Sequence, residues 1–374
     1  MKSKEQKPKV LLAMSGGVDS SVAALLLQKQ RYEVIGAFMK NWSDTKDPLT
    51  GRCAWRTERK MALKIASQLG ISLITLDFEK QYREKVIDKM FEKYKRGITP
   101  NPDIDCNQKI KFPLLLKAAK KIHINIIATG HYARVRKNKK NTYELLRGRD
   151  ESKDQSYFLY KINQNELSHC LFPIGEYTKE QIRIIAQKNK FPNYDKKGTV
   201  GICFIGKVNL KKFLQKKIKP KKGKIIDPNG KVIGEHDGIY YYTIGQRLGP
   251  RYGFELDRGD KNKPSKWYVA KKDVKNNIII AAPENNQLNF RKYVKVKDIY
   301  FISNKPEEYK KTPHKVLSRI RHVGELLPSK LSYDKKSKQF KVILDKAITG
   351  VSEGQAIVLY KGENVLGGGE IRFD

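Results

Sequence analysis

The sequence predicts an α/β domain with a Rossmann-like parallel sheet, followed by a small β-rich domain and a C-terminal β-barrel. Three observations support this prediction. A strand, a glycine turn and a helix follow one another near the start, strands and helices then alternate, and short segments separated by turns follow Leu210. Alternating strands and helices are typical of parallel sheets covered by helices. We predict domains over residues 1–210, 211–284 and 285–374.

The first strand and helix enclose a glycine turn. Residues 10–14 (VLLAM) form an apolar run, residues 15–21 read SGGVDSS, and residues 22–27 (VAALLL) begin a helix. Glycines let backbone amides approach an anion, and a helix N-terminus adds unsatisfied N–H groups. Asp19 would repel a bare phosphate, so we expect it to act through magnesium. The turn predicts a nucleotide site of a kind other than Walker A; the alternative is an ordinary helix-capping turn.

Periodicity predicts the remaining elements of the α/β domain. Strands are predicted over residues 33–39, 72–77 and 125–129. Helices are predicted over residues 57–69, 82–94, 112–120 and 178–189. Because ligands bind at the carboxyl ends of parallel strands, Ser15, Met39 and Gly130 are expected to face one crevice.

The second half of the chain has the alternation of half-buried strands. Strands are predicted over residues 224–227, 231–234, 239–243, 267–270 and 277–280. Asn229 and Gly230 form a strong turn signal between the first two. The last ninety or so residues are also β-rich, which predicts the barrel.

The composition of the chain narrows the classes of function it could have. The 374 residues have a formal net charge of +38, which attracts polyanions and predicts salt-dependent nucleic-acid binding. A lysine-biased genome would also produce such a surface. No apolar run approaches the ~20 residues that span a bilayer, and no signal segment precedes the first strand. We therefore expect a cytoplasmic protein without membrane contact.

The four cysteines are Cys53, Cys106, Cys170 and Cys203. They form no C-x-x-C pair, so a zinc ribbon is not expected and no metal ligand set is predicted. In a reducing compartment they should be thiols or catalytic redox groups.

Two of these cysteines lie in distinctive segments. In residues 99–107 (TPNPDIDCN) we expect the prolines to exclude a helix and present a loop in which Asp103 lies near Cys106. The alternative is a proline-rich turn with an incidental cysteine. In residues 201–206 (GICFIG), Cys203 is either a buried structural thiol in a strand or a thiol activated by basic surroundings.

Together these motifs resemble the bacterial tRNA-specific 2-thiouridylase (MnmA) family, over the chain from about Lys9 to its end. The 15–21 loop resembles the pyrophosphate loop of ATP pyrophosphatases, which split ATP into AMP and pyrophosphate. The segments that carry the resemblance are 15–21 (SGGVDSS), 101–107 (NPDIDCN), 130–134 (GHYAR), 153–159 (KDQSYFL), 201–206 (GICFIG) and 245–247 (GQR).

The resemblance implies a sulfurtransferase that replaces the 2-carbonyl oxygen of the tRNA wobble uridine with sulfur. ATP adenylates that oxygen, and sulfur then displaces AMP. By resemblance, Cys203 carries a persulfide, Cys106 frees the sulfur and forms a transient disulfide with Cys203, and Asp103 is the acid/base residue.

The resemblance also implies binding positions and partners. The ATP-binding positions are Ala13, Met14, Ser15, Gly16, Gly17, Val18, Asp19, Ser20, Met39 and Gly130. The tRNA-binding positions are Asn101, Pro102, Asp103, His131, Lys153, Asp154, Gln155, Arg321, His322 and Gln355. ATP, with Mg²⁺, is the expected substrate. The implied partners are tRNAs for lysine, glutamate and glutamine, and a sulfur-relay protein or cysteine desulfurase; the chain is expected to be a monomer.

The sequence departs from the family pattern in one segment, and two alternative functions stay open. The family usually has Lys, an acidic residue and Ser before the glycine–cysteine segment, whereas this chain has Gly198 and Thr199 after Lys197. The first alternative is another pyrophosphate-loop enzyme, a synthetase or lysidine-type tRNA ligase, that uses a nitrogen nucleophile and needs no thiol pair. The second is a non-catalytic RNA-binding protein with a vestigial loop.

Overall fold

A computed structural model describes residues 7–45, 53–196, 198, 201, 203–205, 209–249, 266–311 and 313–373. Its strands are β1 Lys9–Ala13, β2 Glu33–Lys40, β3 Leu73–Asp77, β4 Ile126–Ala128, β5 Ala133–Lys137, β6 Tyr143–Arg147, β7 Cys170–Leu171, β8 Gly223–Ile226, β9 Val232–His236, β10 Arg247–Leu248, β11 Trp267–Asp273, β12 Ile278–Pro283, β13 Phe290–Phe301, β14 His314–Arg319, β15 Leu327–Asp334, β16 Gln339–Thr349, β17 Ala356–Lys361 and β18 Asn364–Arg372.

Helices occur mainly in the first half of the chain. The α-helices are α1 Val18–Lys29, α2 Ala54–Leu69, α3 Glu79–Tyr82, α4 Asp88–Lys95, α5 Pro102–Cys106, α6 Phe112–Lys121, α7 Gln164–Ser168, α8 Lys179–Lys188 and α9 Leu210–Gln215. The π-helical turns are Arg83–Ile87 and Asn107–Lys111, and the 3₁₀ turns are Ser156–Phe158, Ile239–Tyr241, Gln287–Asn289 and Pro306–Tyr309. Within the described residues, no helix is long and apolar enough to cross a membrane.

The first sheet is parallel, in the order β3–β2–β1–β4–β7, and this confirms the predicted α/β class. Strand β1 is central and its Val10, Leu11 and Leu12 are fully buried, because helices cover both faces of such a sheet. Ala13 of β1 pairs with Ala37 of β2, so these strands end together. This shared edge places the following glycine turn at the sheet's carboxyl side.

The segment over residues 99–107 differs from the prediction. It enters helix α5 instead of forming an extended loop, and the Asn101 side chain caps that helix by accepting a hydrogen bond from the Ile104 N–H at 3.3 Å. Pro102 occupies the first helical position, where a missing N–H costs nothing. The expectation of a loop was wrong because a proline can begin a helix as well as exclude one.

The second sheet is a mixed five-stranded sheet in the order β10–β11–β12–β8–β9. Its core is continuous with that of the first domain, since Ile225 and Val269 belong to the same buried cluster as Tyr82. The strand predicted over residues 239–243 is wrong: Ile239–Tyr241 is a 3₁₀ turn that follows Gly238 at φ +152°. The second domain therefore packs directly on the first.

The third sheet closes into the predicted C-terminal barrel. Its strands follow the order β13–β16–β15–β14–β17–β18, and β18 also pairs with β13. The β5–β6 hairpin of the first domain joins the barrel at β18, where Leu146 pairs with Asn364. Gly367 permits the close strand contact, because a Cβ at that position would lie 1.9 Å from the Tyr300 carbonyl oxygen. The barrel is thus joined to the first domain by a shared sheet.

Candidate active site

The glycine turn has a shape that only glycine allows. Gly16 has φ +77°, and a Cβ there would lie 2.3 Å from the Glu58 carbonyl oxygen of α2. The hydroxyls of Ser20 and Ser21 each donate a hydrogen bond to the Gly17 carbonyl oxygen at 3.0 Å. In the described part of the chain no side chain caps the first turn of α1, so its N–H groups can bind a phosphate.

Two distant residues hold this turn in place. Gly130 packs against the start of α1, because a Cβ on it would lie 2.9 Å from the Ser20 nitrogen. The buried Asn193 side chain donates to the Gly16 carbonyl oxygen at 3.1 Å and to the Ser21 hydroxyl at 3.0 Å. Gly130 was expected at this site from the sequence, whereas Asn193 was not. The contacts of Asn193 join residues that are more than 170 positions apart in the chain.

Asp19 lies in a polar cluster beside the turn. Its Oδ1 accepts hydrogen bonds from the Lys179 ammonium at 2.6 Å and from the Tyr132 hydroxyl at 2.8 Å. Burial, followed by the Asp19 charge, raises the pKa of Tyr132 far above its ordinary value, so Tyr132 remains a donor. Among the described residues, no group of three or more His, Cys, Asp or Glu side chains could hold a metal ion.

Cys106 and Cys203 lie together. Cys106 is fully buried on α5, and Cys203 is half-buried and packs against the buried cluster that contains Cys106. Asp103 accepts a hydrogen bond from the Cys203 N–H at 2.9 Å, and the Tyr82 hydroxyl donates to the Cys203 carbonyl oxygen at 2.5 Å. Met39, at the end of β2, belongs to the same buried cluster as Cys106. The thiol pair therefore adjoins the strand ends that carry the glycine turn.

The two thiols differ in their electrostatics. Burial, followed by contact with Cys203, raises the pKa of the Cys106 thiol well above its usual range. The hydrogen bond from Cys106, together with the charge of Lys111, lowers the pKa of Cys203 against the effect of burial. Burial also raises the pKa of Asp103, with the Cys203 N–H and Lys111 opposing it. Of the two thiols, Cys203 therefore loses its proton more readily.

A barrel residue fixes the segment that precedes α5. The Gln355 side chain donates to the carbonyl oxygens of Thr99 at 2.9 Å and Pro100 at 3.0 Å. Its Oε1 lies 3.5 Å from Asn101 Nδ2. The predicted tRNA-binding positions Asn101, Pro102 and Gln355 are thus neighbours in space.

Other predicted tRNA-binding positions are spread over a second surface. Lys153 and Arg321 are exposed, whereas Gln155 is half-buried and accepts a hydrogen bond from the Tyr132 N–H at 3.0 Å. The His322 ring packs on that of Phe158 with a centroid distance of 4.4 Å. The exposed side chains leave this surface basic.

Two positions predicted to contact tRNA, Asp154 and His131, have buried side chains. Asp154 is enclosed and accepts a hydrogen bond from Arg319 at 2.7 Å, so its carboxylate holds the neighbouring turn together. His131 stacks on Phe112 with a centroid distance of 5.8 Å and is 8% exposed. In this structure both side chains contact neighbouring protein groups.

The departure from the family pattern lies mostly outside the described residues. Lys197, Thr199, Val200, Ile202 and Gly206 are among those not described. Gly198 is described and exposed, and a Cβ there would meet no atom within 4 Å.

The parallel sheet, with a glycine turn at the carboxyl end of β1 that leads into α1, has the fold of a pyrophosphate-loop nucleotide-binding domain. The chain belongs to the tRNA-specific 2-thiouridylase (MnmA) family. Family models described as a "tRNA methyl transferase HUP domain", a "tRNA methyl transferase PRC-barrel domain" and an "Aminomethyltransferase beta-barrel domain" match residues 8–207, 211–283 and 291–371.

Relatives from distant bacteria match the whole chain. A tRNA-specific 2-thiouridylase MnmA of Lactobacillus helveticus is 40% identical, over 98% of this chain and 95% of its own length. Those of Bacillus subtilis and Coxiella burnetii are 39% and 40% identical, covering 99% and 98% of this chain and 96% and 99% of their own. A 4-thiouridine synthetase–RNA complex with bound ATP is 13% identical, with a TM-score of 0.34 over 56% of this chain and 50% of that one.

Proposed function

We propose that this chain catalyses the ATP-dependent 2-thiolation of the wobble uridine of tRNA. The observation that carries the proposal is the position of Cys203, which packs against the buried cluster of Cys106 and Met39 and donates its N–H to Asp103. Full-length relatives named tRNA-specific 2-thiouridylase support the same reaction. The chain is accordingly a sulfurtransferase.

The first half-reaction activates the uridine. The 2-carbonyl oxygen attacks the α-phosphorus of ATP, a P–O bond forms, and pyrophosphate leaves. The glycine turn and the N-terminus of α1 bind the phosphates through backbone N–H groups. Mg²⁺ would neutralise phosphate charge here, held by Asp19 and by the phosphates themselves, as is usual for this ion. Lys179, which contacts Asp19, balances the carboxylate charge before ATP binds.

The second half-reaction delivers sulfur. The Cys203 thiolate takes a sulfane sulfur from a donor persulfide, and the donor leaves as a thiolate. Cys106 then transfers its proton to Asp103 and attacks Cys203 Sγ, which forms the Cys106–Cys203 bond and breaks the bond to the terminal sulfur. The departing sulfur takes up the proton from Asp103 and leaves as hydrosulfide. The released hydrosulfide attacks C2 of the uridine and displaces AMP. An external dithiol supplies two electrons to restore both thiols.

The thiol pair argues against the alternatives. A synthetase or lysidine-type ligase finishes with a nitrogen nucleophile and needs neither cysteine. The family model describes a methyl transferase, but methyl transfer does not require splitting ATP into AMP and pyrophosphate. A non-catalytic RNA-binding protein would have no need for a half-buried Asp103 bonded to the loop of Cys203.

The partners follow from the same reaction. A net charge of +38 suits tRNA, and the family resemblance favours the tRNAs for lysine, glutamate and glutamine. A sulfur-relay protein or a cysteine desulfurase would supply the persulfide. The four cysteines are free thiols, which suits the reducing cytoplasm, and we propose that the chain acts as a monomer.

Mass spectrometry of tRNA nucleosides tests the proposal. The protein is incubated with tRNA, ATP, Mg²⁺, a cysteine desulfurase and cysteine. We expect 2-thiouridine from the natural chain, and release of pyrophosphate without 2-thiouridine from Cys203→Ser. Cys53→Ser is the matched control, since Cys53 precedes α2 as its N-cap and lies outside the thiol pair. Normal 2-thiouridine formation by Cys203→Ser would refute the proposed role of this cysteine.

A further inference from the structure

We propose that Lys111 is a positioning residue that keeps the reacting sulfur of Cys203 anionic throughout the sulfur-transfer cycle. The proposal rests on the function proposed above, because it assigns a cation to the sulfur that this reaction uses. It concerns a residue that the motif comparison did not single out.

Lys111 ends the π-helical turn that follows α5, and its side chain points into the thiol site. Its Nζ lies 3.8 Å from Cys203 Sγ and 3.2 Å from His131 Nε2. The ammonium also lies 5.6 Å from the centroid of the Phe204 ring. π-Helical turns occur frequently at functional sites, where they redirect a side chain that a regular helix would aim elsewhere.

The half-buried Lys111 ammonium needs a negative partner, and the sulfur of Cys203 is the one in contact. Among the ion pairs of the described residues, none joins Lys111 to a carboxylate within 4.0 Å. Burial alone would lower the pKa of Lys111, but the charges of Cys203, Cys106 and Asp103 outweigh burial and raise it. A charged group in such a site is stable only when paired. Lys111 and the Cys203 thiolate therefore stabilise each other.

His131 directs this cation toward sulfur. A lysine ammonium only donates hydrogen bonds, so His131 Nε2 must accept from Lys111. Nδ1 then carries the proton and donates to the Thr129 hydroxyl at 2.7 Å. Burial, followed by the Lys111 charge, holds the pKa of His131 well below its ordinary value. The histidine is therefore neutral and leaves Lys111 as the cation at the sulfur.

Four side chains lie around Cys203, and Lys111 is the one that brings a positive charge to its sulfur. Asp103 and Cys106 face it from α5, Lys111 faces it from the π-helical turn, and the Tyr82 hydroxyl binds its carbonyl oxygen. Lys111 stabilises the thiolate that attacks the donor, then the terminal persulfide anion, and finally the hydrosulfide freed by Cys106. Each of these species carries one negative charge on sulfur, so one fixed cation serves all three.

Alkylation of Cys203 as a function of pH tests the inference. The full-length chain, in a Cys106→Ser background, is treated with iodoacetamide, and the Cys203 peptide is quantified by mass spectrometry. We expect Lys111→Met to raise the midpoint pH of Cys203 alkylation by about one unit or more. A shift of one unit corresponds to a roughly tenfold smaller thiolate fraction at neutral pH. Lys109→Met is the matched control: Lys109 lies on the same turn but pairs with Asp105 at 2.7 Å.

Further variants keep the test decisive. Lys111→Gln replaces Lys111→Met if the latter does not fold, and Lys111→Arg, which keeps the charge, should retain a low midpoint. Equal midpoints for the Lys111 and Lys109 variants, or for Lys111→Gln and Lys111→Arg, would overturn the inference. Alkylation needs neither ATP nor tRNA. Failure of the natural chain to form 2-thiouridine would therefore refute the proposed function and leave the alkylation result standing.

Discussion

Replacing Gly16 by alanine tests the geometry of the nucleotide turn. The new Cβ would lie 2.3 Å from the Glu58 carbonyl oxygen and 3.3 Å from the Ala62 nitrogen, both in the backbone of α2. The φ of +77° costs an alanine about 1 kcal/mol, and relieving the overlap costs a further ~2 kcal/mol. The total of roughly 3 kcal/mol should lower the melting temperature by about 6–12 °C.

Gly70→Ala separates these two contributions. Gly70 has φ +64°, but a Cβ there would meet no atom within 4 Å. We expect this control to lower the melting temperature by only about 2–4 °C, the share of the backbone strain alone. Gly16→Ala should also abolish pyrophosphate release from ATP, whereas Gly70→Ala should retain it. Equal melting temperatures with normal pyrophosphate release by both variants would refute the steric reasoning.

Three further perturbations probe other parts of the molecule. Asp154→Ala leaves the buried Arg319 unpaired and should cost roughly 3–5 kcal/mol by urea unfolding, whereas Lys9→Met, in an exposed ion pair, should cost less than ~1 kcal/mol. Because burial raises the pKa of Asp103, the folded chain binds its proton more tightly than the unfolded chain does. Its carboxylate therefore reduces stability at neutral pH, and this loss disappears as pH falls through the folded pKa. Asp103→Asn should flatten the dependence of melting temperature on pH and abolish thiolation; an unchanged pH profile would contradict this. Finally, tRNA affinity measured by filter binding should fall steeply with salt, and a flat response would contradict binding through the net charge of +38.

Short-range sequence patterns correctly predicted those elements whose structure is decided by adjacent residues. The apolar run of β1 and the glycine turn after it were predicted correctly, since their burial and dihedral requirements are encoded in adjacent residues. The segment containing Pro102 was predicted wrongly, because proline both begins and excludes helices and the cap of Asn101 decides between them. The predicted strand over 239–243 failed because its tyrosines fill a tertiary core within a turn.

The site was only partly predictable for a different reason. The family resemblance paired Cys106 with Cys203, but the residues that tune them make long-range contacts. Nothing distinguishes Lys111 among 77 lysines and arginines until the fold places it against a sulfur. Burial likewise decides that Asp154 and His131 support their neighbours, and burial is a property of the complete fold.

The most direct test of the relay is a single turnover without reductant. The natural chain, loaded with one persulfide at Cys203, is mixed with tRNA, ATP and Mg²⁺ and then quenched with a thiol-blocking reagent. We expect one Cys106–Cys203 disulfide for each 2-thiouridine formed, both quantified by mass spectrometry. Formation of 2-thiouridine while both cysteines remain free thiols would contradict sulfur release by attack of one cysteine on the other.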